Sequence, residues 1–423
     1  MVLALALVVA ACARNGGATG RTGVRGAHVE VLAVWSGTEQ ERIEEVLRAF
    51  ERESGATVTY TPAGHRMADA LAEREAAADL PDVAFLPQPG LLREYVRKGL
   101  IAPLDAGVTG EVVRNYPAVW RDLGSVDGRL HAVWFKAANK SLVWYDVATF
   151  EQAGVIPPED LDGFLSVAQA ITTSGTPAFA LGAADGWTLT DWFENVYLRV
   201  AGAENYDRLA DHRLAWTDES VKRALRMLTE LWAPASVAGG TGHALQTKFE
   251  ASVAEAFAPP GAAAMIAEGD FVQGVLTGKA IGRPGVDVDV FPFPVAKGSA
   301  PAVVGGGDAA VIMRDSPAAQ ALLEFLATPV AATIWAAHGG YISPNVNVDL
   351  SVYPDDTSRS VARRLVEAGD DFRFDLSDLQ PAAFGGVEGQ GMRAALQELL
   401  SSGDVEATAS RLEAEATAAY GGR

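Results

Sequence analysis

The chain has 423 residues, 49% of them apolar and 21% charged, with a formal net charge of −20 and a single cysteine. That length can bury a large core and predicts two or more domains, in a composition ordinary for a globular protein. The acidic balance excludes a nucleic-acid partner, which needs clustered Lys and Arg, and excludes adsorption to anionic lipid; one thiol excludes a disulfide framework or a thiolate metal cluster.

The chain opens with a short apolar run that closes on Val9-Ala10-Ala11-Cys12. The run is near signal-peptide length and well short of the roughly 20 residues that span a bilayer. It resembles the lipobox of bacterial lipoproteins, whose cysteine is lipidated and becomes the new N-terminus. No Lys or Arg precedes it, a departure from the usual cationic start. Residues 13–27 are glycine-rich and without periodicity, the composition of a flexible tether.

Order is expected from His28. Val29 to Trp35 reads as a buried strand, nearly continuous in apolar residues. Thr38-x-x-Glu41 has the spacing of a capping box, with Ile43, Val46, Leu47 and Phe50 at helical intervals behind it. Thr57–Thr61 is a second strand, Met67–Ala78 a helix and Val83–Leu86 a third strand. This β-α-β-α-β order predicts a parallel sheet covered by helices. The alternation resumes with strands at Ser141–Tyr145, Phe179–Gly182, Ala262–Ala267 and Val288–Phe291, and helices at Leu161–Ile171, Asp191–Val200 and Glu219–Trp232. The last third reads as helices over 317–337, 360–368, 391–401 and 405–420. The coarse expectation is two α/β lobes with a helical tail.

Signatures of catalysis are missing. There is no nucleophile elbow, zinc helix, P-loop or dinucleotide fingerprint, and the six histidines show no ligand spacing. Gly305-Gly306-Gly307 is not followed by the Lys-Ser/Thr of a phosphate loop. No cofactor or metal is expected. A carboxylate pair for glycoside hydrolysis stays open, because acidic residues are many and their spacing singles out none.

Aromatic residues at element ends are the positive signal. Trp35 closes the first strand. Trp187 and Trp192 flank Thr188-x-x-Asp191, a second capping-box spacing, and fit either a hydrophobic staple or a platform for a sugar ring. Phe271 and Tyr341 sit beside glycine turns, where core packing and ligand contact are both open.

On these stretches the chain resembles the extracellular solute-binding proteins of ABC importers, in the branch that binds maltose and α-glucosides. The matching segments are Val34–Glu39, Leu80–Phe85, Val133–Tyr145, Gly186–Glu194, Gly261–Phe271 and Gly306–Ile312. They run in the family's order over residues 28 to about 345. The resemblance implies a two-lobed periplasmic-binding-protein fold (type II) whose discontinuous lobes are joined by a hinge. The first lobe would be 28–138 with 305–343, the second 139–304 with 344–423. Crossings would lie near Ala138-Asn139, Val304-Gly305 and Ser343-Pro344.

The same resemblance puts ligand in the interlobe cleft, held by Trp35, Ser36, Glu39, Gln40 and Gln88 from the first lobe. Lys136 and Asn139 would lie on the hinge side, and Trp187, Asp191, Trp192 and Phe271 on the second lobe. Gly307, Asp308 and Tyr341 would come from the returning segments. Glu39 and Asp308 fit equally well as carboxylates favoured by a helix start. The implied function is a non-enzymatic receptor, monomeric, anchored at the outer face of the cytoplasmic membrane through Cys12. It would capture an oligosaccharide and hand it to the transmembrane subunits of a permease. A glycerol phosphodiester ligand, or a secreted carbohydrate-active enzyme, are the alternatives.

Overall fold

The computed structural model describes residues 21–64, 67–299 and 302–421; Cys12 and the lipobox lie outside them. Order begins earlier than His28. Arg21–Val24 forms a short 3-10 helix, and Val24 is buried against the first lobe. The tail of the expected tether is therefore part of the fold.

The first lobe is built on a six-stranded sheet. Strand β1 (His28–Ala33) lies between β2 (Thr57–Pro62) and β3 (Val83–Leu86), both parallel to it, with His28 opposite Thr57 and Val31 opposite Val83. All four residues of β3 are buried, as a strand covered on both faces requires. Edge strand β2 turns its threonines outward, which suits an edge that must stay soluble. The ribbon β4 (Ser125–Val126) and β5 (Arg129–Leu130) leads into β6 (Ala132–Asn139). Strand β10 (Val303–Ile312) runs antiparallel to β3 on one edge and to β6 on the other. Helices α1 (Thr38–Ser54), α2 (Met67–Ala76) and α3 (Pro89–Arg97) complete the first three βα units. Helix α1 buries Ile43, Val46, Leu47 and Phe50 as the spacing predicts. The capping box does not form: Gly37 (φ 58°) is the cap residue and no side chain caps it.

The second lobe centres on β7 (Leu142–Asp146), with β8 (Met265–Ala267) and β9 (Val288–Pro292) antiparallel on either side. Helices supply most of its core, including Leu161–Thr173, Trp187–Ala210, Glu219–Leu231, Gly391–Ser402 and Val405–Ala419. The expected strand at Phe179–Gly182 makes only isolated bridges at Phe179, to Val237 and Met265. The expected helix over 317–337 is two, Pro317–Leu326 and Pro329–Ala336, because Thr328 caps a new start ahead of Pro329. Among the described residues no single helix is long and apolar enough to cross a membrane.

The chain passes between the two sheets three times: after Asn139, between Pro292 and Val303, and at Asp375. The sequence expectation put the first two near Ala138-Asn139 and Val304-Gly305. The third does not lie at Ser343-Pro344. Residues 344–374 stay with the first lobe, where helix Asp356–Glu367 buries Val361 and Leu365, and β11 (Phe372–Phe374) pairs parallel with the start of β10. Pro344 marks a turn of the chain, not a change of lobe. Apolar packing continues past the crossings through Leu142, Trp144, Ile266 and Val272, so the lobes share a packed base.

At the hinge the crossings bond to one another. Lys140 N–H donates to Val304 O (2.9 Å), Val304 N–H to Ser141 Oγ (2.8 Å), and Asp375 N–H to Gly305 O (2.8 Å).

Candidate functional site

Near the crossings the first sheet is interrupted. On one edge of β10, pairing with β3 ends at Leu86, opposite Ala309; pairing with β11 ends at Phe374, opposite Gly305. Gly306, Gly307 and Asp308 lie between those two strand ends. Val304 O accepts from Lys140 on the β6 side and Gly305 O from Asp375 on the other. Alternation along an antiparallel ladder therefore turns the N–H and C=O of Gly307 into the gap. Glycine is required here by close approach: a Cβ at 307 would sit 2.5 Å from Lys136 O, and one at 306 would sit 2.8 Å from Asp375 Oδ2.

Two lysines of β6 and its extension, Lys136 and Lys140, organise the charges beside this gap. Lys136 pairs with Glu39 and lies 5.2 Å from the Trp335 ring centroid and 5.9 Å from that of Trp35. Burial pulls its pKa down, but Glu39 and Asp308 outweigh burial and hold it above the ordinary value. Burial pushes Asp308 and Asp270 up to about 6 each, against the pull of Lys136. Asn139 is inside the hinge: its N–H donates to Asp270 Oδ1 (2.7 Å) and its Oδ1 accepts from Ser141 N–H (3.0 Å).

Lys140 was not singled out from the sequence, yet it is the centre of the second cluster. Its Nζ is 3.1 Å from Asp191 Oδ1, 2.5 Å from Asp375 Oδ2 and 5.8 Å from the Trp187 ring centroid. Asp191, Glu194 and Asp375 have carboxylate oxygens within 4.8 Å of one another, the spacing that could hold a metal ion. Here the Lys140 ammonium already supplies the cation to both aspartates.

Trp187, Phe249 and Phe271 form a half-buried aromatic triad beside Lys140, with ring centroids 5.2–5.8 Å apart. Trp187 starts its helix directly after Gly186 (φ 76°), which a side chain could not replace without meeting Arg393. Neither the second capping box nor the staple forms: no side chain caps this helix, and Thr188 Oγ1 donates instead to Gly182 O.

Three expected ligand residues belong to the core. Trp192 is enclosed by Phe164, Phe179, Trp232 and Phe293, with 2% of its surface exposed. Trp35 packs on Phe85 and Trp335 (4.8 and 5.0 Å), and Tyr341 stacks on Trp335 while its hydroxyl donates to Phe135 O. Neighbouring rings cover their faces, so none offers a platform. Ser36 is exposed at the first turn, and Gln40 donates along its own helix to Glu44 (2.8 Å). Gln88 Nε2 donates to Asp378 Oδ1 (3.1 Å), which together with the bond of Arg93 to Leu379 O ties the helix Pro89–Arg97 to the segment after the third crossing. The structure thus adds Lys140, Phe249, Asp375 and Asp378 to the sequence-derived set. Lys140 stands in the matching segment Val133–Tyr145, and the fold brings the other three to it from distant parts of the chain.

Residues 35–333 match the family model of the bacterial extracellular solute-binding proteins. The chain belongs to that family. Curated relatives of this solute-binding protein include the osmoprotective compounds-binding protein GgtB of Synechocystis sp., 33% identical over 84% of this chain and 85% of the relative. Another is the alpha-glucosides-binding periplasmic protein AglE of Rhizobium meliloti, 31% identical over 86% and 81%. Among solved structures, RafE in complex with raffinose superposes with a TM-score of 0.76 over 93% of this chain and 100% of that one. At 18% identity that likeness carries the fold alone.

Proposed function

We propose that this solute-binding protein captures a neutral oligosaccharide, an α-glucoside of two or three units, in the interlobe cleft and delivers it to an ABC permease. The observation that carries the reading is the pairing of surfaces at the cleft. The triad Trp187, Phe249 and Phe271 offers apolar ring faces to a sugar. Glu39, Asp308, Asp378 and the backbone of Gly307 offer acceptors and donors for its hydroxyls. Names of the relatives support the ligand class: AglE binds alpha-glucosides and GgtB osmoprotective compounds.

A ligand that touches both lobes binds the closed arrangement better than the open one and shifts the population toward it. Delivery needs no bond to break, which agrees with relatives that are receptors and with a sequence free of catalytic motifs. A glycerol phosphodiester is disfavoured, because carboxylates outnumber the two lysines at the cleft and would repel a phosphate.

A thermal-shift panel of di- and trisaccharides and glycerol phosphodiesters tests the ligand class. Saturable stabilisation by an α-glucoside, with the sugar recovered intact, is the expected outcome; stabilisation only by the phosphodiester, or steady hydrolysis of the sugar, would contradict it. The membrane anchor rests on the lipobox at Cys12, so Cys12→Ala should leave the membrane fraction with its affinity unchanged. A variant that stays with the membrane sinks the anchor.

A further inference from the structure

Around Lys140 three carboxylates are each held by one oxygen and left free at the other. The ammonium faces Asp191 Oδ1 (3.1 Å) and Asp375 Oδ2 (2.5 Å), and Ser377 N–H donates to Glu194 Oε1 (3.0 Å). The remaining oxygens, Asp191 Oδ2, Asp375 Oδ1 and Glu194 Oε2, are buried and accept from no protein donor. All three residues are at most 2% exposed. An ionised carboxylate only accepts, so each such oxygen costs the fold unless something positive meets it.

A fourth carboxyl is aimed at the same group from another element. Glu268 follows β8, is 3% exposed and has its own Oε2 buried without a donor. It lies within hydrogen-bonding reach of Asp191, acceptor against acceptor. Lys140 serves one oxygen of each aspartate and neither glutamate. Four ionised carboxylates around one ammonium leave three negative charges out of water, a cost that a further cation offsets.

Geometry and donor type say which cation fits. One oxygen from each of Asp191, Glu194 and Asp375 lies within 4.8 Å of the other two. Ligands of a single calcium ion keep such spacing, since oxygens at roughly 2.3–2.6 Å from the ion stand at most about 5 Å apart. The donors are all carboxylate oxygens, which select a hard cation over zinc or copper. Burial then favours calcium, because magnesium gives up its own waters reluctantly. The Lys140 side chain keeps 15% of its surface exposed, so the cluster lies close enough to solvent for an ion to enter.

We propose that Asp191, Glu194 and Asp375, backed by Glu268, bind one calcium ion beside Lys140. Asp191 and Glu194 are three positions apart and share a face of the helix Trp187–Ala210, while Asp375 stands at the third crossing. The ion therefore ties the helix that opens with Trp187 to the passage between the lobes. The site stands whatever solute the cleft holds.

Calcium titration of the full chain, stripped with EDTA and freed of the chelator, tests this by calorimetry and by thermal unfolding, with magnesium at matched ionic strength as the control. Wild type should bind one calcium per chain with a Kd on the order of 10⁻⁴ M or tighter. Calcium at about 5 mM should raise the unfolding midpoint by about 2–5 °C, and magnesium should raise it less. Glu194→Gln keeps the shape and the acceptor for Ser377, and should lose calcium affinity by about tenfold or more. Free of calcium it should unfold no lower than calcium-free wild type, because it carries one unbalanced charge fewer. Glu268→Gln repeats the comparison on the fourth carboxyl, so the test does not hang on one variant folding. Absence of both a saturable calcium heat and a midpoint shift in wild type overturns the proposal, since the carboxyls then neutralise themselves with protons. Wild-type calcium affinity in the folded variants also overturns it, because the ion then sits on the surface of a chain with net charge −20. Equal stabilisation by magnesium overturns the choice of calcium. No sugar enters these measurements, so their outcome is separate from the success or failure of the oligosaccharide reading.

Discussion

Trp187 and Trp192 are five residues apart on one helix and do different work. Trp192 has ring neighbours on every side and 2% exposure, whereas Trp187 is half-buried beside Lys140. Trp192→Ala should therefore cost about 3–5 kcal/mol in denaturant unfolding and leave the affinity of the folded protein nearly intact. A stable Trp192→Ala with lost affinity would put the ligand on the wrong indole here. The sequence pattern identified both tryptophans as exceptional but could not separate them. Aromatic residues next to glycine turns serve cores and ligands alike, and only the partners from distant segments separate the two: Phe164 and Phe293 enclose Trp192, whereas Phe249 and Phe271 leave Trp187 half-buried. Lys140 was illegible for the same reason: its partners are 51 and 235 positions further along the chain.

At the level of elements, strands and helices were legible where period and length agreed, as in β1, α1 and β3. Caps were not. Both capping-box spacings fail because a glycine with positive φ starts each helix, and the Ser/Thr side chain falls one or two positions inside it. The third crossing was misplaced because a proline turn and a change of lobe look the same in sequence; the pairing of β11 with β10 is a long-range fact. That pairing also creates the gap over Gly306-Gly307-Asp308. Gly306→Ala should drive its Cβ into Asp375 Oδ2 (2.8 Å) and Lys140 Cε (3.2 Å), loosening the ion pair that joins two crossings. The expected cost is about 1–3 kcal/mol of stability, measured by denaturant unfolding. An unchanged midpoint would show that the hinge yields without strain.

For the whole molecule, the two lobes are joined by three crossings and by the contact of Gln88 with Asp378, and in the proposed capture a ligand between them is both cargo and clasp. Family order in the sequence was enough to give the architecture, because many weak segments in register specify it jointly. Ligand contacts were less legible, because a cleft is assembled from residues the chain brings together only at the end. Calorimetric titration of wild type and Trp187→Ala with an α-glucoside is the most direct test of capture in this cleft. Wild type should bind one sugar per chain. Loss of one ring face worth about 2 kcal/mol should weaken Trp187→Ala by about 30-fold at unchanged folding. Full affinity in a folded Trp187→Ala would contradict the assignment of the sugar to the cleft beside Lys140.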